Sequence, residues 1–225
     1  MVRIELDKVT KRIRKNTVLH EVTLKMHEGR IYGLQGVNGS GKTMLMRTVI
    51  GLIRPTEGSV SVNGRILGRD MEFPESIGFL LENPAFLGQY SGYENLNMLA
   101  GIKGRVLTRQ IKDCIRAVGL DPEEKKKYRK YSLGMKQRLG IAAAIMEEPD
   151  IVVLDEPTNA LDESGVRLVQ DILRREKARG ALVILSCHDI GILRELSDEI
   201  FRMEAGRIVE HICLNDERQE EGGDA

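Results

Sequence analysis

Eight residues, Gly36-Val37-Asn38-Gly39-Ser40-Gly41-Lys42-Thr43, constrain this chain more than any other stretch. They fit the spacing G-x-x-x-x-G-K-[ST] of a phosphate-binding loop. The flanks suit that reading. Ile31 to Leu34 is a short apolar run that reads as a buried strand, and Thr43 to Ile50 reads as a helix closed by Gly51. A bound triphosphate needs its charges matched once water is stripped away. Gly36, Gly39 and Gly41, with Asn38 and Ser40 between them, let backbone N–H groups turn inward, and the helix dipole adds to their field. Lys42 supplies a point charge for the β- and γ-phosphates, and Thr43 a hydroxyl for Mg²⁺. The stretch predicts a nucleotide-binding protein.

Composition narrows the class. At 225 residues the chain suits one sizeable domain, with room for a small subdomain. Lys plus Arg and Asp plus Glu are both 34, so no global charge draws it to nucleic acid. Aromatics at 4% and the absence of Trp argue against base-stacking platforms. No apolar stretch approaches the roughly 20 residues that span a bilayer, and the N-terminus lacks a signal-peptide pattern. Cys114, Cys187 and Cys213 are odd in number and too far apart for a zinc site, so reduced thiols in a cytoplasmic protein are expected.

The order of elements is legible in outline. Val2 to Leu6 and Val22 to Met26 alternate at period two, as strands of an antiparallel sheet do. Ser59 to Val62 reads as a strand entering a hairpin at Asn63-Gly64. From about Gly92 to Met146 the texture is helical, with Ile111, Cys114, Ile115 and Val118 on one face, and Asp121 to Glu124 opening a further helix. The basic run Lys125 to Lys130 reads as a solvated helix end or as a nucleic-acid or lipid contact. Ile151 to Leu154 and Ala181 to Leu185 are continuous apolar runs, expected of parallel strands buried on both faces. Glu163 to Arg179 is an amphipathic helix, and 200–209 a closing hairpin.

Three groups carry chemistry. The strand at Ile151 to Leu154 runs into Asp155 and Glu156, placing one carboxylate to reach Mg²⁺ and the next to orient or deprotonate an attacking water. The strand at 181–185 ends near His188, placed for a γ-phosphate contact. Ser132 reads as the N-cap of a helix whose first turn holds Gly134, a second anion-binding terminus. Two such sites in one chain invite a head-to-tail dimer.

Taken in order, the phosphate loop, Tyr131-Ser132-Leu133-Gly134-Met135, Ile151 to Thr158, Asn159 to Asp162 and His188 resemble the ATP-binding cassette (ABC) ATPases over about residues 2–210. The resemblance implies an α/β P-loop fold with a RecA-like parallel-sheet core, an N-terminal antiparallel β subdomain and an inserted helical subdomain at about 83–148. It implies one ATPase domain over 1–210, with 211–225 as a flexible acidic tail. Asp155 would then serve Mg²⁺, Glu156 be the catalytic base, and His188 sense the γ-phosphate of ATP. Ser132 and Gly134 would close over a partner's nucleotide, in a homodimer or a heterodimer. Separate transmembrane permease subunits would dock near Glu82 to Tyr93, where Phe86, Leu87, Tyr90 and Tyr93 form either that face or local core.

Three departures stand out: Leu133 replaces the first signature glycine, Ile13 stands where an adenine-stacking aromatic is usual, and Glu82 replaces a glutamine. As an added Mg²⁺ ligand, Glu82 would tie closure of the helical subdomain to metal occupancy. Leu81 to Phe86, Ser91 to Leu96 and Tyr131 to Ala142 are similar to stretches in exporter ATPases for bacitracin, lantibiotics and related antimicrobial peptides. A soluble ABC ATPase of ribosome or chromosome, and a regulatory module without turnover, are the competing readings.

Overall fold

The computed structural model describes residues 2–104 and 106–214. Its frame is a six-stranded sheet in the order β10-β9-β3-β8-β7-β6. These are β3 (Ile31–Gln35), β6 (Ile77–Leu80), β7 (Ile151–Leu154), β8 (Leu182–Ser186), β9 (Glu199–Glu204) and β10 (Arg207–Cys213). The first five run parallel, and β10 pairs antiparallel with β9. All four residues of β7 and all five of β8 are buried, because apolar material covers both faces. Side-chain alternation then divides one strand between two cores. Val152 and Leu154 face a cluster with the helices, whereas Ile151 and Val153 face the cluster shared with a second sheet.

That second sheet is antiparallel, in the order β2-β1-β4-β5, from β1 (Arg3–Ile13), β2 (Asn16–His27), β4 (Glu57–Val62) and β5 (Arg65–Ile66). Asn63 and Gly64 make its two-residue turn, with φ of 54° and 79°, the left-handed pair such a turn requires. Helix α1 (Lys42–Val49) follows β3, while α2 (Gly92–Lys103), α3 (Thr108–Ala117) and α4 (Leu133–Ile145) lie between β6 and β7. Helices α5 (Glu163–Ala178) and α6 (Ile190–Leu196) flank β8.

Several elements differ from their sequence reading. Strands β1 and β2 are far longer than the two alternating segments, because register shifts after Leu6 and Val9 break the period while pairing continues. Asp121 to Glu124 does not open a helix. The Asp121 carboxylate accepts from Glu123 N at 2.9 Å and that of Glu124 from Lys126 N at 2.9 Å, so side chains take the donors a helix would use. Tyr128 N and Arg129 N then bond to the carbonyls of Tyr90 and Gly88, which docks the basic run on the 88–90 loop. Strand β10 continues to Cys213, so the hairpin takes in the first residues assigned to the tail. Residues 215–225, the rest of it, lie outside the described residues.

Candidate nucleotide site

Neighbouring strands β3, β8 and β7 point their carboxyl ends the same way, and those ends deliver the phosphate loop, His188 and Asp155-Glu156 to one place. The result is a cavity of about 490 Å³. Asn38, Gly39, Ser40, Gly41, Lys42 and Thr43 line it together with Asp155, Glu156 and His188.

Within the loop, Gly39 and Gly41 have φ of 80° and 107°. A β-carbon at Gly41 would also sit 3.1 Å from the Val18 carbonyl, so the turn excludes side chains on two grounds. Lys42 Nζ donates to the carbonyls of Gly36 at 2.6 Å and Val37 at 3.3 Å. Gly36 itself closes β3 and does not line the cavity. The hydroxyl of Ser40 is buried without a hydrogen-bond partner, although the residue lines the cavity. A buried donor in that state is suited by a ligand oxygen.

Behind the loop, a chain of short bonds fixes the carboxylates. Thr43 Oγ1 donates to Asp155 Oδ2 at 2.6 Å, and Ser186 Oγ donates to Asp155 Oδ1 at 2.5 Å. Ser186 Oγ in turn accepts from Glu156 N at 2.9 Å. The Glu156 carboxylate accepts from His188 N at 3.1 Å, and its other oxygen lies 3.3 Å from His188 Nε2. Thr43 and Asp155 together offer a hydroxyl and a carboxylate oxygen, the all-oxygen donor set that fits Mg²⁺. Cys187, buried beside His188, has its thiol pushed up by desolvation, against the lowering effect of the Thr158 hydroxyl.

Glu82, expected as an added metal ligand, lies outside this chain's own cavity, as do Ser132 and Gly134, expected over a partner's nucleotide. Glu82, with φ of 58°, pairs with Arg47 on α1 at 2.5 Å and does not line the cavity. Its carboxylate is drawn to the nearest cation rather than toward Thr43. Ser132 caps α4, accepting from Met135 N at 3.2 Å. Gly134 abuts the 156–162 loop, where a β-carbon would come within 2.9 Å of the Ala160 carbonyl. Neither faces the cavity of its own chain. Ile13 is exposed and also absent from the lining. Thr17, Val18, His20, Ala205 and Gly206 do line it, brought by β2 and the β9–β10 turn. Sequence reasoning missed all five, since only the packing of the two sheets places them there.

A glycine-rich loop between strand and helix, with an acid-tipped parallel strand one place removed in the same sheet, defines a P-loop ATPase. Residues 19–159 match the family model described as ABC transporter, and the chain therefore belongs to that family, as an ATP-binding and ATP-hydrolysing subunit. It is 49% identical over 205 residues to YybJ of Bacillus subtilis (strain 168), described as an uncharacterized ABC transporter ATP-binding protein, covering 91% of this chain and 94% of that one. It is 37% identical over 215 residues to BcrA, a bacitracin transport ATP-binding protein of Enterococcus faecalis, covering 95% and 70%. The fold matches the cassette MJ0796, solved as a dimer in a post-hydrolysis state with ADP and Pi, at a TM-score of 0.83 and 23% identity over 94% of this chain and 98% of that one.

Proposed function

We propose that this ATPase closes head-to-tail with a second cassette around two ATP molecules and drives export through separate membrane subunits. The ATPase domain expected over 1–210 extends to the end of β10 at Cys213, with 83–148 as its helical subdomain. Lys42 exchanges its carbonyl partners for the β- and γ-phosphates, and the loop from Gly36 to Thr43 cradles them. Thr43 and Asp155 hold Mg²⁺, which supplies positive charge to the phosphate oxygens when bound. Glu156 orients and deprotonates the attacking water, and His188 links that carboxylate to the γ-phosphate.

The observation that carries the dimer is the position of Ser132 and Gly134. They sit at the N-terminus of α4, outside their own cavity, with Leu133 69% exposed beside them. A helix terminus of this kind is suited to a partner's phosphates. ATP binding stabilises the closed pair, and hydrolysis removes the contacts that hold it.

For the permease, the apolar cluster named from sequence divides: Phe86, Tyr90 and Tyr93 are half-buried, while Leu87 is exposed. Phe86 meets Tyr128 edge-on at 5.3 Å, and both Phe86 and Tyr93 pack against buried residues. Exposed Phe79, Leu99 and Ile102 line a further cavity of about 250 Å³, which offers another docking face. Phe79 lies on the edge strand β6 and the other two on α2, and an apolar helix of the permease is the partner suited to such a face. No helix among the described residues is long and apolar enough to cross a membrane. In this reading the permease holds the subunit at the inner membrane face. Antimicrobial peptides are the favoured cargo, on the likeness to the bacitracin relative.

The test is the mass of the Glu156→Gln protein in solution with and without Mg-ATP. The expected result is an ATP-dependent shift from monomer to dimer. Bound ATP with no change in mass would mean that the chain does not pair with itself.

A further inference from the structure

At the far end of β9 from the nucleotide, three side chains of different donor chemistry meet. Glu199 opens β9, and its ladder partner on β10 is Cys213. His211 lies two residues before Cys213 on the same strand, so all three share one face. His211 Nε2 is 2.7 Å from Glu199 Oε2 and 3.7 Å from Cys213 Sγ, and the three donor atoms lie within 4.8 Å of one another. We propose that Glu199, His211 and Cys213 form a site for a zinc-class divalent cation, with a fourth position left to water.

The geometry suits such an ion. With Zn–N near 2.0–2.1 Å and Zn–S near 2.3 Å, a tetrahedral site has an N···S edge of about 3.5 Å. The existing separation needs almost no adjustment. The His211–Glu199 hydrogen bond would open by about 0.6 Å to reach an N···O edge of about 3.3 Å. Both His211 and Cys213 are exposed on an edge strand.

Neighbours already orient the ligands. Arg30 Nη1 donates to Glu199 Oε1, leaving Oε2 for the ion. Phe201 stacks on the His211 ring at 4.5 Å and 28°, which fixes its plane. One carboxylate and one thiolate neutralise a divalent charge. The mixture of O, N and S donors selects zinc over Mg²⁺, which prefers octahedral oxygen sites, so this ion is not the nucleotide's. Cysteine spacing alone hid the site because its partners are a histidine and a glutamate. The other end of this hairpin, Ala205-Gly206, lines the nucleotide cavity, so a metal here clamps the base of an element that shapes the ATP site.

The experiment titrates Co²⁺ into the full chain and reads the thiolate-to-cobalt charge-transfer band. One equivalent should produce the band in the wild type and in Cys187→Ser, and none in Cys213→Ser. His211→Gln should weaken binding by at least about tenfold. Zn²⁺ should raise the unfolding temperature of the wild type but not of Cys213→Ser. Absence of the band in the wild type, or its survival in Cys213→Ser, would overturn the proposal. Because Glu199 is buried and ion-paired, the test rests on the two exposed ligands.

Discussion

Gln137 Nε2 donates to the main-chain carbonyl of Glu156 at 3.1 Å, which ties helix α4 to the residue proposed as the base. Glu156 needs such a tie, since its φ of 51° places a branched-off carboxylate residue in the left-handed region. Such a conformation costs about 1–3 kcal/mol and persists only where neighbours over-determine it. Gln137→Leu should therefore lower kcat for ATP by about tenfold or more while leaving KM little changed, because it misplaces the base and not the phosphate loop. Steady-state ATPase assays decide this. A raised KM with unchanged kcat would show that Gln137 serves nucleotide binding instead.

Ser186 anchors the same residue from the other side. Its hydroxyl is fully buried, donating to Asp155 and accepting from the Glu156 amide. Ser186→Ala leaves a buried N–H and a carboxylate oxygen short of a partner, a loss of about 1–3 kcal/mol. Urea unfolding should show a lower midpoint with an unchanged slope, and ATP turnover should fall alongside it. A variant as stable and as active as the wild type would mean that water replaces the hydroxyl without cost.

What could be read from sequence followed the physics of each segment. Strands β3, β7 and β8 were legible because burial on both faces leaves an unbroken apolar run. The Asn63-Gly64 turn was legible because few residues tolerate its backbone. Much of β1 was not, since its bulges put Lys8 at φ of 47° and shift the pairing with β2. The Asp121 to Glu124 segment carries helix-opening residues, but their carboxylates capture the local amides. In the site, Asn38 to Thr43, Asp155, Glu156 and His188 were found from local motifs. His20, Val18 and Gly206 were not, because their place depends on two sheets meeting across distant stretches of chain. Glu82 was assigned by resemblance, and the pairing with Arg47 in the last turn of α1 is a contact between segments 35 residues apart that no local pattern shows.

Two glycines with the same chemistry should respond in opposite ways. A β-carbon at Gly78 on β6 would lie 1.7 Å from the Ala144 carbonyl, backbone of α4 that cannot move aside. Gly78→Ala should lose about 3 kcal/mol or more, or fail to accumulate as folded protein. Gly101, exposed inside α2, has nothing within 4 Å of its β-carbon position. Gly101→Ala should gain about 0.5–1 kcal/mol from the reduced freedom of the unfolded chain. Thermal melts of both variants measure the difference. Equal effects would mean that the strand and helix do not approach as closely as described.

Helix α2 also sets a pH dependence. Its capping box joins Ser91 N to the Glu94 carboxylate at 2.5 Å, and Glu94 N to Ser91 Oγ at 3.2 Å. The Ser91 amide first, then its hydroxyl and Lys127, hold the Glu94 carboxyl below its usual value of 4.5. A depressed folded pKa means that the contribution is complete above the unfolded value and lost as pH falls through the folded one. The wild type should therefore melt above Glu94→Ala at neutral pH by a constant margin. That margin should shrink below about pH 4.5 as the carboxylate takes up its proton. Melting both proteins at intervals from neutral to acid pH tests the sign, and a margin that widens in acid would show that the cap does not depend on the charged form.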